Sequence, residues 1–221
     1  MIVINKYIID KLVIQTVLLE IDDLEKIIYC KDQVIKAIKD SSLFIPPSNA
    51  YIETILKGYG KIIGLTHNNT LVAFASIVFP RTGKNNLGNY LNFSKAQLTQ
   101  VVQFEHGLVI DKYRGHGFLK ILLEEVFHFL EPQYSLLLST VSPYNISSLK
   151  TAFKVKQVIK AHIFYHGYER FILYRNFKEP LTFPEFNILT CTDIEELDYY
   201  LKQNYIALFN FDEKYYILRR Q

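Results

Sequence analysis

Apolar positions along the chain follow two different periods. Residues 12–19 (LVIQTVLL) are dense in β-branched side chains and read as a strand. Asp22 and Asp23 then stand where a helix cap belongs, and Leu24, Ile27, Ile28, Val34, Ile35 and Ile38 recur at helical spacing. The Pro46–Pro47 pair ends that helix. Ser48 or Asn49 can cap a short second one that stops at Gly58 and Gly60. Residues 61–79 (KIIGLTHNNTLVAFASIVF) hold two apolar runs around Asn68 and Asn69, the pattern of a hairpin.

A polar excursion follows over residues 80–100, with one helical turn after Ser94; a loop of this length is often functional. Residues 101–110 (VVQFEHGLVI) read as a strand that runs into DKYRGHGFLKILL, residues 111–123. Beyond that turn a helix places Leu119, Leu122, Leu123, Val126, Phe129 and Leu130 on one face, and Glu124, Glu125 and His128 on the other. Residues 134–141 (YSLLLSTV) form a near-continuous apolar run, as in a strand covered on both sides. A short helix with Leu149, Ala152 and Phe153 inward comes next, then a second hairpin turning at His166–Gly167. The alternation of strands and helices predicts a mixed α/β fold, a central mixed sheet flanked by helices. Past Pro180 the pattern changes to a helix and two short strands. The expected organisation is a domain over 1–178 with a small α/β extension over 179–221 packing on it.

Composition narrows the function classes. Hydrophobic residues make up 49% of the chain and charged ones 21%, enough to build a sizeable core. The net charge is +3 with no dense Lys/Arg stripe, which argues against nucleic acid as a partner. Cys30 and Cys191 lie far apart and in no CxxC pair, as expected of reduced thiols. The six histidines show no metal-ligand spacing. Lys6, Asp10 and Lys11 interrupt the apolar N-terminus, so no signal-peptide core forms there. No apolar run approaches the ~20 residues of a membrane span. A cytoplasmic, non-membrane protein is expected.

The candidate chemistry sits in the turn Arg114-Gly115-His116-Gly117. The first N–H groups of a helix have no partners within it, and with the helix dipole they favour an anion such as a diphosphate. Glycines let a ligand approach the backbone without a Cβ in the way. The competing reading is a tight strand-to-helix turn that binds nothing. The turn is neither a GxxxxGK[ST] phosphate loop nor a GxGxxG dinucleotide fingerprint.

The run LVIDKYRGHGFLKILL after a strand, followed by a buried strand and by SPYN opening a short helix, resembles the GNAT superfamily of N-acyltransferases. Those enzymes hold acetyl-CoA at a [QR]-x-x-G-x-[GA] turn. Arg114 and Gly117 match its first two fixed positions, while Leu119 departs from the third. The likeness runs from about Phe44 to Phe177. It includes LVAFASIVFP, STVSPYNISSLK and ERFILYRNF, similar to stretches in a bacterial subgroup of the family.

The resemblance implies an acetyl-CoA-dependent N-acetyltransferase in which a small-molecule or peptide amine attacks the thioester directly within a ternary complex. It implies that the backbone of Leu108, Val109 and Ile110 pairs with the pantetheine arm of coenzyme A. An N–H near Val109 or Ile110 would polarise the thioester carbonyl. The N–H groups of Arg114, Gly115, His116, Gly117, Phe118 and Leu119 would hold the diphosphate. Asn145 would contact the cofactor arm, or else cap the helix it opens.

The amine needs a proton acceptor. Glu105, a carboxylate within an apolar strand, is the candidate base, sharing a face with Gly107 and Val109 by alternation; His106 points to the opposite face. The position at which relatives carry an acidic Tyr is Ala152, followed by Phe153. Tyr144 is therefore the neighbouring candidate for general acid. Leu119 and the missing Tyr motivate an alternative, a non-catalytic CoA-binding or assembly module on the same fold. The Tyr-rich extension is a candidate surface for self-association as a homodimer.

Overall fold

The structure, a computed structural model, describes residues 1–128, 130, 132–179, 189–212 and 214–220. Two compact units make up the chain: Met1–Pro80 with Val102–Gln133, and Arg81–Val101 with Tyr134–Gln221.

In the first unit the strands β1 (Ile2–Ile9), β2 (Leu12–Leu19), β3 (Gly60–His67), β4 (Thr70–Val78) and β5 (Val101–Val109) lie side by side in that order. All of these pairs are antiparallel. The hairpins form because their two central residues adopt positive φ: Asp10 and Lys11 between β1 and β2, Asn68 and Asn69 between β3 and β4. The strand β1 is an addition to the sequence reading. Asp-Lys lacks the glycine that usually announces such a turn.

Helix α1 (Leu24–Ala37) follows a 3-10 turn at Ile21–Asp23, and α2 (Asn49–Thr54) starts at Ser48, whose hydroxyl accepts from the Tyr51 N–H at 3.1 Å. Their apolar faces bury Ile27, Cys30, Val34 and Ile52 with Val17, Ile62, Phe74 and Leu108 of the strands. Helix α4 (Phe118–His128) packs against β3 and β4. It buries Phe118, Leu122, Leu123 and Val126, as its period predicts; Phe129 lies outside the described residues. Glu125 is the exception. Expected on the solvent face, it is only 1% exposed, because β1 and β2 cover that side of the helix.

The second unit contains β6 (Leu136–Val141), β7 (Val158–Tyr165), β8 (Tyr168–Asn176), β9 (Leu189–Cys191), β10 (Tyr205–Asn210) and β11 (Tyr215–Arg220). Their order is β6-β8-β7-β10-β11-β9. The β7–β8 hairpin turns at His166 (φ 50) and Gly167 (φ 83), as expected. The 80–100 segment supplies α3 (Lys95–Leu98), opened by a reciprocal cap between Ser94 and Gln97. Helices α5 (Ile146–Lys154) and α6 (Ile194–Lys202) complete the set. Leu149 and Ala152 of α5 share a core with Leu197 and Leu201 of α6 and with Ile159, Phe171, Tyr216 and Leu218. The extension thus joins this unit, and its β10 pairs with β7 through Ala207 and Ile159. Cys30 and Cys191 are both free and buried. The fold is the mixed α/β class expected, with six α-helices among the described residues, none long and apolar enough to cross a membrane.

Candidate functional site

Strand β5 ends at Val109 and hands the chain to a 3-10 turn, Asp111–Tyr113, before α4 begins. Gly115 (φ 87) and Gly117 (φ 76) are both left-handed, a conformation costly for other residues, and no atom lies within 4 Å of where a Cβ would stand at either. The first bonds of the helix run from the Lys120 and Ile121 N–H groups to the Gly117 carbonyl, at 3.0 and 3.2 Å. Among the described residues nothing accepts from the N–H groups of Gly115, His116, Gly117, Phe118 and Leu119. Arg114 differs from the reading made on sequence. Its N–H is committed to the Asp111 carbonyl at 3.0 Å, so the free set begins one residue later.

The side chains around the turn fix it. Arg114 donates from Nε to the Val109 carbonyl at 3.3 Å and pairs through Nη1 with Asp111 at 3.1 Å. His116 Nδ1 lies 2.6 Å from Asp10 Oδ2, at the tip of the β1–β2 hairpin. Phe118 turns its buried ring inward and stacks on Tyr113, with centroids 6.3 Å apart. The turn thus leaves a row of N–H groups without intrahelical partners at the positive end of an eleven-residue helix, a feature that favours an anion.

The same strand decides which backbone groups remain available beside the turn. The Ile110 N–H donates to the Val72 carbonyl at 3.0 Å and is therefore occupied by β4. Antiparallel neighbours alternate between bonded and non-bonded pairs, so Val109, opposite Ala73, directs its N–H away from β4. Of the two expected donors, Val109 is the one that β4 leaves unengaged. Leu108 is buried in the core beneath α1 and α2.

Strict alternation fails at Glu105. Ser76 pairs with His106 but Ile77 pairs with Phe104, so the register shifts and Glu105 stands opposite no residue of β4. Its carboxylate accepts from Gln103 Nε2 at 2.8 Å, and its charge, together with burial, raises the Tyr59 phenol above its ordinary value. Glu105 is half-buried in a β-bulge rather than on the Gly107–Val109 face. His106 is buried, shares a hydrogen bond of 3.2 Å with Ser76, and meets the ring edges of Phe44 and Tyr51. Burial holds its pKa down to about 4, so the ring is neutral at physiological pH.

Two candidates belong to the second unit. Asn145 accepts from the Ser148 N–H at 3.1 Å, the cap of α5 that its position allowed. Tyr144 is exposed and donates to Glu169 at 3.0 Å; that bond and the carboxylate's charge raise its pKa.

Two features were not singled out on sequence. Glu125 of α4 accepts from Asn5 Nδ2 at 2.7 Å and from the Tyr7 hydroxyl, with Thr16 Oγ1 at 3.4 Å. Burial works against its charge, but these donors prevail and hold its pKa below the ordinary value. The density of β-branched residues in IVINKYII, residues 2–9, is the signal that could have revealed the covering strand. Gly107 is the second: a Cβ there would lie 2.3 Å from Leu119 Cδ1.

Strands flanked by helices, with a glycine turn between β5 and α4, define a mixed α/β fold. No protein-family model matches the sequence, and no curated protein does. Solved structures match in fold. An N-acetyltransferase of Staphylococcus aureus Mu50 is 15% identical, with 74% of this chain and 98% of that one covered and a TM-score of 0.57. The yncA protein of Salmonella typhimurium, solved with its cofactor acetyl-CoA, is 9% identical over 78% and 98%, with a TM-score of 0.58. The GNAT domain of S. lividans PAT is 16% identical over 78% and 96%, with a TM-score of 0.57. The chain has the GNAT acetyltransferase fold.

Proposed function

We propose that the protein is an acetyl-CoA-dependent N-acetyltransferase acting on a small-molecule or peptide amine. The carrying observation is the row of five N–H groups from Gly115 to Leu119 that find no acceptor among the described residues, at the start of α4. These groups fit a diphosphate: they present donors and a helix dipole, with no Cβ at Gly115 and Gly117 to obstruct approach. The acetyl thioester supplies an activated acyl group. The Val109 N–H, turned away from β4, would donate to the thioester carbonyl beside the turn.

Glu105 takes the proton of the attacking amine, directly or through a water. Its carboxylate stands in the bulge, opposite no residue of β4 and partly exposed to solvent. Tyr144 keeps its proton, because Glu169 raises its pKa, and so remains a donor across the physiological range.

One observation favours a second reading, a CoA-binding module without turnover. Ala152 is 5% exposed within the core of α5, and neither it nor Phe153 can donate a proton. Release of free thiol from acetyl-CoA across a panel of amines separates the two. The acetyltransferase reading expects release with at least one amine and its loss in Glu105→Gln. Tight cofactor binding with no release for any amine supports the module instead.

A further inference from the structure

Gly107 needs no special backbone conformation, since it lies in regular β5 and its φ falls outside the left-handed range. Its reason is space. A Cβ at this position would stand 2.3 Å from Leu119 Cδ1 and 2.9 Å from Phe104 Cζ, both far inside van der Waals contact. Leu119, on the first turn of α4, therefore lays its side chain into the gap that the missing side chain leaves on β5. At both glycines of the turn, in contrast, no atom approaches within 4 Å of the Cβ position.

We propose that Gly107 is a positioning residue of the anion turn, paired with Leu119: its gap seats the leucine against β5 and keeps that side chain clear of Gly115 and Gly117. The cofactor consequence rests on the acetyl-CoA reading above, whereas the seating of the turn does not. This arrangement also accounts for a leucine where the resemblance expects glycine or alanine. A methyl added at position 107 turns Leu119 out of the gap or lifts the first turn of α4 from β5, because helical rotamers leave a leucine few other directions. Either movement changes the space in front of the N–H row.

The test compares the intact wild-type chain, Gly107→Ala and Gly107→Ala/Leu119→Ala. Two readouts are used: the amide resonances of Gly115 and Gly117 without ligand, and acetyl-CoA affinity by calorimetry. Displacement of the N–H row is expected to weaken binding by about tenfold in the single variant, ~1.4 kcal/mol. Both glycine amides shift with it. The double variant recovers most of both effects; the Phe104 ring edge accounts for the remainder. A role in stability alone would lower the melting temperature without moving affinity in the folded protein. The proposal is overturned if Gly107→Ala binds as wild type with unmoved amides, or if removing the Leu119 side chain restores neither readout. Should the single variant fail to fold, a folded double variant with near-wild-type amides supports the pairing, and failure of both overturns it. If the wild type binds no acetyl-CoA, the cofactor reading fails, and the amide shifts still decide the pairing.

Discussion

Replacing Glu125 should destabilise the first unit by an amount that its environment sets. The carboxylate is 1% exposed and takes hydrogen bonds from the Asn5 amide and the Tyr7 hydroxyl, so it ties β1 to α4. Hydrogen bonds to a charged acceptor contribute ~1.5–3 kcal/mol each, and neutral ones ~0.5–1.5. Glu125→Gln keeps an acceptor but loses the charge, about 2 kcal/mol over two bonds. Part of this is offset because the ion no longer has to be buried, leaving a net cost of about 1 kcal/mol. Glu125→Ala removes both bonds and leaves a void, and about 3 kcal/mol is expected. Urea unfolding followed by circular dichroism measures this as a fall in midpoint at unchanged slope. The pH dependence gives an independent check. A folded-state pKa held below the ordinary 4.5 contributes stability that is full above that value and lost as pH falls through the lowered one. That acid sensitivity should shrink in Glu125→Gln. At the other end, Tyr7 is raised from 10.0 to about 12, so its contribution is full below pH 10 and lost between there and pH 12. If both Glu125 variants unfold within about 0.5 kcal/mol of wild type, as ordinary surface changes do, the latch does not exist.

Three further outcomes are expected. Gly60→Ala would place a Cβ 1.9 Å from the Ile77 backbone carbonyl oxygen, which cannot turn aside; a loss above about 3 kcal/mol is expected, and wild-type stability would contradict it. Asn145→Ala should cost about 1 kcal/mol by uncapping α5, while Asn145→Asp retains the cap; equal loss in both would deny the capping role. The His106 ring resonance should stay flat from pH 5 to 8 and move near pH 4, whereas a midpoint close to 6.5 would mean that the ring is not buried as described.

Much of the fold was legible because periodicity and turn chemistry act locally. The Asn68–Asn69 and His166–Gly167 hairpins, the Ser94 turn and the apolar face of α4 all follow from residues within a few positions of one another. What escaped depends on atypical turn chemistry or on distant partners. Strand β1 closes on Asp10 and Lys11, a pair that takes positive φ without the expected glycine. Glu125 reads as solvent-facing until Asn5 and Tyr7, more than a hundred residues away in sequence, cover it. Alternation placed Glu105 beside Gly107, but the bulge against Ser76 and Ile77 breaks the count. The anion turn was legible as a choice between a bare bend and a ligand site. The unpartnered N–H row and the Leu119–Gly107 contact are properties of geometry and could be read only from the structure.

The central claim is that the N–H groups from Gly115 to Leu119 hold the diphosphate of coenzyme A. Titrating isotopically labelled protein with coenzyme A and following these amides tests it most directly. The account predicts saturable shifts that are largest at Gly115 and Gly117. Unmoved amides at millimolar coenzyme A, or shifts confined to residues elsewhere, would contradict it.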